Sequence, residues 1–205
     1  LVAQLFILYY LLRDINKSLI GVHLFIQTEE TPNPETLKFL PGCIVMPEGT
    51  ASYILGQPCD NSPLARRLMG IEGIAGVFFG ADFITLTKKP GQGWDLLKPD
   101  ILAVLMDHFV ANLPVVTAPS VEGPSQDELD DPLVCQIREL LDTRIRPAVA
   151  QDGGDIVFHS FEDGIVYLKM QGACSGCPSS TATLKSGIEN MLRHYVPEVQ
   201  EVQAI

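Results

Sequence analysis

Two small α+β domains joined by a linker are what the sequence predicts, and three observations carry that expectation. Residues 111–131 interrupt the chain with three prolines, one glycine and then an acidic cluster, the composition of an interdomain connection. On either side, short runs rich in Val, Ile, Phe and Thr alternate with segments of helical period. The halves also differ in charge: residues 1–112 carry 8 basic and 11 acidic side chains, and residues 113–205 carry 6 and 14. This divides the chain into an extension at 1–23, a first domain at 24–112, a linker at 113–126 and a second domain at 127–205.

In the first domain, Leu24 to Gln27 reads as a strand, and Thr31-Pro32-Asn33-Pro34 as a turn, because two prolines exclude helix and hold their predecessors extended. A second strand follows around Leu37 to Leu40. Ser62-Pro63 pairs an N-cap residue with proline at the first helical position, and Leu64, Leu68 and Ile71 then recur at helical spacing. GVFFGADFITLTK reads as a hairpin turning at Gly80-Ala81-Asp82. A helix from about Trp94 to Ala111 follows, with Leu97, Ile101, Leu105 and Phe109 on one face.

The second domain is expected to be an α-β-β-α unit. Leu133, Ile137, Leu141, Ile145 and Val149 recur every fourth residue behind an acidic stretch that suits the positive end of a helix, with Pro147 kinking or shortening it. Two strands, 156–161 and 165–171, are joined by Glu162-Asp163-Gly164, a hairpin signal. An amphipathic helix with Leu184, Ile188, Met191, Leu192 and Tyr195 closes the unit.

Composition excludes several function classes. The 205 residues have a formal net charge of -11 and no basic stripe, so nucleic acid loses its main electrostatic term as a partner. With 46% hydrophobic residues the chain has material for a core. Five cysteines, an odd number and scattered except for one close pair, do not form a disulfide scaffold and favour a reducing compartment. The apolar run LVAQLFILYYLL at the start is too short to span a bilayer, which needs roughly 20 residues, so stable membrane insertion is not expected. Nor has residues 1–23 the basic n-region of a signal peptide or the Arg-rich, Ser-rich character of a mitochondrial presequence. The extension is expected to be a gene-start artefact or a targeting segment. The Leu1 start and the poor presequence tilt the expected location to a bacterial cytoplasm, with the mitochondrial matrix as the alternative.

The chemistry lies in Gly172-Ala173-Cys174-Ser175-Gly176-Cys177-Pro178, between the last strand and the last helix. Pro178 suits a first helical turn, so the two thiols are expected at a helix N-terminus, where the dipole favours thiolate, the form that binds metal or attacks disulfides. A lone CxxC fits soft-metal ligation and redox chemistry alike, and two unrelated buried thiols less well. Structural zinc and iron-sulfur clusters normally take four protein ligands, so one close pair points to two chains sharing one centre across a two-fold axis. Cys43, Cys59 and Cys135 have no Cys or His neighbour in sequence and read as small apolar fillers. His23, His108, His159 and His194 are isolated and are assigned nothing. Asp152, Asp155, Glu162 and Asp163 read as turn residues, and no catalytic constellation is present, so no enzymatic activity is expected.

ELLDTRIRPAVAQDGGDIVF, GIVYLKMQGACSGCPSS and LKSGIENMLRHYVPEV together resemble the C-terminal domain of NifU, and FIQTEETPNPETLKFLPG with SPLARRLMGIEGIAGVFFGADFITLTK resembles the N-terminal domain of Nfu proteins. The resemblance covers nearly all of residues 24–205 and is far more specific than the CxxC alone. It implies an iron-sulfur cluster scaffold or carrier: a homodimer bridging a 4Fe-4S cluster (or a 2Fe-2S cluster) through paired CxxC loops. Such a carrier receives the cluster from the assembly machinery and passes it to apo-proteins such as lipoate synthase, aconitase-type and respiratory enzymes. Ligand roles carry over to Cys174 and Cys177 only. Leu24, Asn61 and Cys135 depart from the family pattern outside the motif.

Two rivals share the local arrangement. A thioredoxin-like oxidoreductase also places CxxC between strand and helix, but only 28 residues follow Cys177 and no strand-helix-strand unit precedes it. A dimeric zinc protein is the other, since thiolates bind zinc readily. On the carrier reading, Ser in place of either cysteine is expected to abolish loading and leave the fold intact, neither thiol being needed for the core. The first domain is expected to dock or orient acceptors.

Overall fold

The computed structural model describes residues 25–117, 131–176 and 178–205. The chain builds two sheets, each with its own hydrophobic core.

The first sheet has five antiparallel strands in the order β1-β2-β5-β4-β3: β1 (Gln27–Glu30), β2 (Thr36–Leu40), β3 (Ala51–Ile54), β4 (Ile74–Phe79) and β5 (Ile84–Lys88). The opening strand shares only Gln27 with the expected 24–27 and runs on to Glu30. Pairing with β2 sets its register from Gln27 opposite Leu40 to Glu30 opposite Leu37, while Leu24 falls outside the described residues. One face is covered by α1 (Pro63–Met69) and α2 (Trp94–Val110), which bury Leu64, Leu68, Ile101 and Leu105 against Phe39 and Phe79. Ser62 caps α1, its Oγ accepting from Ala65 N at 3.0 Å. Residues 115–117, expected to belong to the linker, still hold to this unit: Ser62 Oγ donates to Val115 O and Thr117 N to Asn61 O. The remainder of the expected linker, 118–126, lies outside the described residues, as does the extension at 1–23.

The second unit begins with α3 (Pro132–Leu140), capped by Asp131, whose carboxylate accepts from Leu133 N. The expected long helix is divided. A π-helical turn at Leu141–Ile145 separates α3 from α4 (Arg146–Gln151), which starts with Pro147 in its first turn, where the missing N–H costs nothing. Next come β6 (Gly154–Glu162) and β7 (Ile165–Gly172), an antiparallel hairpin closed by Asp163 and Gly164 with φ of 49° and 82°, the pair of positive values that a type I′ turn requires. Helix α5 (Pro178–Tyr195) crosses back, and β8 (Glu201–Ala204) adds parallel to β7, so the expected α-β-β-α unit gains a terminal strand. Ile137, Leu141, Ile156, Val166, Leu168, Ile188 and Leu192 form its core.

The two units meet through the face of the first sheet turned away from α1 and α2. Because side chains alternate across a strand, Lys38, Phe78 and Thr85 point to this second face while Leu37, Phe39, Ile84 and Leu86 enter the first core. Strands β4 and β5 lie against β7 there.

Candidate functional site

Strand β7 ends at Gly172 and α5 begins at Pro178; the cysteine loop is the stretch between. Gly172 has φ of 61°, and a Cβ there would stand 2.6 Å from Gly153 O and 2.9 Å from the Phe78 ring, so only glycine turns the chain at this point. The loop is tied back on itself and on the turn before β6. Ala173 N donates to Gly153 O at 3.1 Å, Cys174 N to Gln171 O at 3.3 Å, and Ser175 N to Gly172 O at 3.2 Å. Thr181 Oγ1 on α5 donates to Cys174 O at 3.1 Å, which links the loop to the helix.

Cys174 faces inward. Its side chain is 6% exposed and joins the second core, its Sγ lying over Gly154, where a Cβ would come within 2.3 Å of the sulfur. Burial pushes its thiol up to about 12, and the carboxylates of Asp152 and Asp155 add to the shift. This corrects the expectation of a thiolate on the helix dipole. Cys174 lies four residues ahead of α5, and the cost of burying a charge outweighs the pull of a helix end at that distance. Cys174 packs in a core, where the sequence led to the expectation that neither thiol is needed for one. Cys177 lies outside the described residues. Among the described residues no three His, Cys, Asp or Glu side chains converge to hold a metal ion.

The carboxylates behave differently from the expectation that all four are turn residues. Asp155 is buried within β6, and Arg146 grips both its oxygens, Nε to Oδ1 at 2.8 Å and Nη2 to Oδ2 at 2.9 Å, while Ile156 N also donates to Oδ1. The carboxylate raises the Arg146 guanidinium above its ordinary value. Glu162 is the last residue of β6, and Asp152 and Asp163 do lie in turns.

Of the other cysteines, Cys59 packs at the edge of the first core, but Cys43 and Cys135 are exposed, so the reading of all three as buried fillers fails for two. Cys43 sits in the loop after β2, and Cys135 is on the outer face of α3. His159 and His194 are exposed, whereas His108 is fully buried on α2 with burial, and then Arg67, holding its pKa below the ordinary value.

Sequence reasoning missed three residues that shape the loop. Gly154 makes room for the Cys174 sulfur, Arg146 anchors β6, the strand that Gly154 opens, and Asn33 reaches the loop from the turn between β1 and β2, its Nδ2 donating to Ser175 O at 2.9 Å. The DGGD run signals a turn, but no local pattern announces a contact between residues 142 positions apart.

Comparison with known proteins bears on both units. Residues 26–112 match the family described as scaffold protein Nfu/NifU N terminal, and residues 137–203 match the NifU-like domain. The human protein described as NFU1 iron-sulfur cluster scaffold homolog, mitochondrial, is 53% identical over 184 residues, covering 89% of this chain and 72% of its own length. The proteins of the same description from Drosophila persimilis and Drosophila sechellia are 51% and 53% identical; the chain spans 70% and 65% of their lengths. A solved NifU-like protein from Saccharomyces cerevisiae is 22% identical, covers 49% of this chain and all of its own, and superposes with a TM-score of 0.43.

Proposed function

The chain belongs to the Nfu family of iron-sulfur cluster scaffold proteins, and from that premise we propose that it carries an iron-sulfur cluster as cargo and delivers it to apo-proteins. The observation that carries the reading is the cysteine loop itself, standing between β7 and α5 inside the stretch that matches the NifU-like domain. Cys174 and Cys177 are the proposed ligands. Sulfur is the right donor for iron in such a cluster, and two thiolates per chain leave its coordination half complete. Two chains related by a two-fold axis supply four, so the proposed loaded state is a homodimer holding one 4Fe-4S cluster between its loops.

Delivery follows from the same incompleteness. A cluster held at an interface by two thiolates from each side is open to attack by the acceptor's thiolates, which replace the carrier's one after another while the freed thiolates take up protons. The proposed acceptors are apo iron-sulfur proteins, lipoate synthase and aconitase-type and respiratory enzymes among them, and the first domain is proposed to orient them. This is transfer of cargo and not turnover of a substrate. The compartment proposed is the mitochondrion, in line with the relatives' names and against the bacterial cytoplasm expected from the N-terminal residues. No helix among the described residues is long and apolar enough to cross a membrane.

The test is anaerobic reconstitution with ferrous iron and sulfide, comparing the native chain with Cys174→Ser and Cys177→Ser. The native chain takes up cluster and both variants do not. Full loading of Cys177→Ser overturns the ligand assignment. Tight zinc binding, or reversible dithiol-disulfide cycling, in place of cluster uptake overturns the function.

A further inference from the structure

Among the described residues, no helix of its own unit covers the second face of the first sheet, yet three side chains at its centre are buried. Lys38 is 7% exposed, Phe78 2% and Thr85 1%, and Phe78 belongs to neither core. An antiparallel sheet with one face on its helices ordinarily leaves the other to solvent, with polar residues on it. Here the second face is closed by the chain's own second unit. Thr85 Oγ1 donates to Gly153 O at 2.6 Å, and Lys38 Nζ donates to Gln151 O at 2.9 Å. At the rim, Thr50 Oγ1 donates to Asp155 Oδ2 at 3.0 Å and Asn33 Nδ2 to Ser175 O at 2.9 Å. The Phe78 ring lies against Gly172, so close that a Cβ on that glycine would stand 2.9 Å from it.

These contacts bracket the cysteine loop. Gly153 and Gly172 flank the floor on which Cys174 rests, and Ser175 is the residue directly after it. Cys174 itself points into the second core. A sulfur buried in that position cannot reach a centre shared with another chain, and Asn33 of the first unit holds the carbonyl of the next residue, Ser175.

We infer that the second face of the first sheet, with Asn33 at its rim, is an internal docking surface for the cysteine loop, and that the described structure is a closed carrier whose loop must leave this surface before two chains share a cargo. The inference rests on the proposed function for the meaning of opening, but not for the contact itself. Closed and loaded states compete for the same loop: whatever separates the two units favours pairing between chains, and pairing keeps the units apart. The segment 118–130 joins them covalently, so re-closure after delivery is intramolecular.

Asn33→Asp is the selective test. Its Oδ1 accepts from Glu35 N at 3.0 Å, which the aspartate retains, while the donor to Ser175 O is replaced by a carboxylate oxygen that repels that carbonyl. Thr85→Val keeps shape and strand preference and removes the hydroxyl that binds Gly153 O. The apo full-length chain, each single variant and the double variant are compared by small-angle scattering and by amide exchange of residues 172–176. The expected result is a larger radius of gyration and at least tenfold faster exchange of the loop in the double variant, with Asn33→Asp alone shifting both in the same direction. Amides of α2 serve as the control that the first unit stays folded. Unchanged radius and unchanged loop exchange in both Asn33→Asp and the double variant overturn the inference. These readouts use protein without cluster, so failure of the carrier function, read from cluster uptake by the native chain, is seen separately.

Discussion

Arg146 holds Asp155 through two parallel hydrogen bonds of 2.8 and 2.9 Å, fixing the start of β6 to the helix that precedes it. The fork geometry is one that lysine cannot reproduce. Breaking a fully buried pair costs about 3–5 kcal/mol, and Arg146 is partly exposed, so Arg146→Ala is expected to lower unfolding stability by about 2 kcal/mol. Arg146→Lys should recover only a minority of that loss. Urea titration followed by circular dichroism measures both; a midpoint unchanged in Arg146→Ala contradicts the role.

Gly154 and Cys174 share one small space, the sulfur occupying the place a side chain would take. In Gly154→Ala the new methyl must displace the sulfur or the loop backbone, at a cost of about 1–3 kcal/mol. The displaced thiol becomes accessible. Iodoacetamide labelling with peptide mass spectrometry should show Cys174 reacting faster in the variant than in the native apo-protein, and equal rates would show that the loop absorbs the methyl without moving the thiol.

The same burial makes Cys174 slow to react in the apo-protein near neutral pH, because the thiolate is the nucleophile and this thiol is held well above the ordinary range. Cys43 and Cys135, which are exposed, should be labelled first. The sign for stability follows from the raised value. The protonated thiol is the form the fold favours, so its contribution is complete below the ordinary thiol pKa and fades as the pH climbs through that value toward 12. Labelling of Cys174 as fast as that of Cys135 at neutral pH would contradict this placement.

His108 gives the first unit an acid sensitivity. Burial, with Arg67 adding to it, lowers its pKa, so the folded unit favours the neutral ring and the unfolded chain binds the proton more readily. The stability is fully present above the unfolded value near 6.5 and is lost as the pH falls below it toward the lowered folded value. Denaturation midpoints of the first unit at neutral and acidic pH should diverge in the native chain and converge in His108→Leu. Equal divergence in both would place the acid-sensitive group elsewhere.

Much of the architecture was legible because it is local. The Ser62-Pro63 helix start, the hairpin β4–β5 and the glycine-rich turn before β6 each depend on residues close in sequence. Strands β3 and β8 were not: ASYI and EVQA are four residues each, too short for their alternation to mark a strand, and they become strands through the partners β4 and β7. At the site, the position of the loop could be read, but the direction of Cys174 could not. That direction depends on Gly154 across the hairpin, and the loop's cover depends on Asn33 in the other unit. The thiolate expectation weighed a helix end against nothing, since burial is a property of the packed chain.

In the proposed loaded state two chains share one cluster through Cys174 and Cys177. The most direct test is iron and sulfide content per chain, with native mass and Mössbauer spectra, before and after anaerobic reconstitution. About two iron and two sulfide per chain, a spectrum of one 4Fe-4S centre, and a mass that doubles on loading are expected. A loaded monomer with about four iron per chain, or a dimer that survives with Cys177→Ser and keeps its cluster, would contradict it.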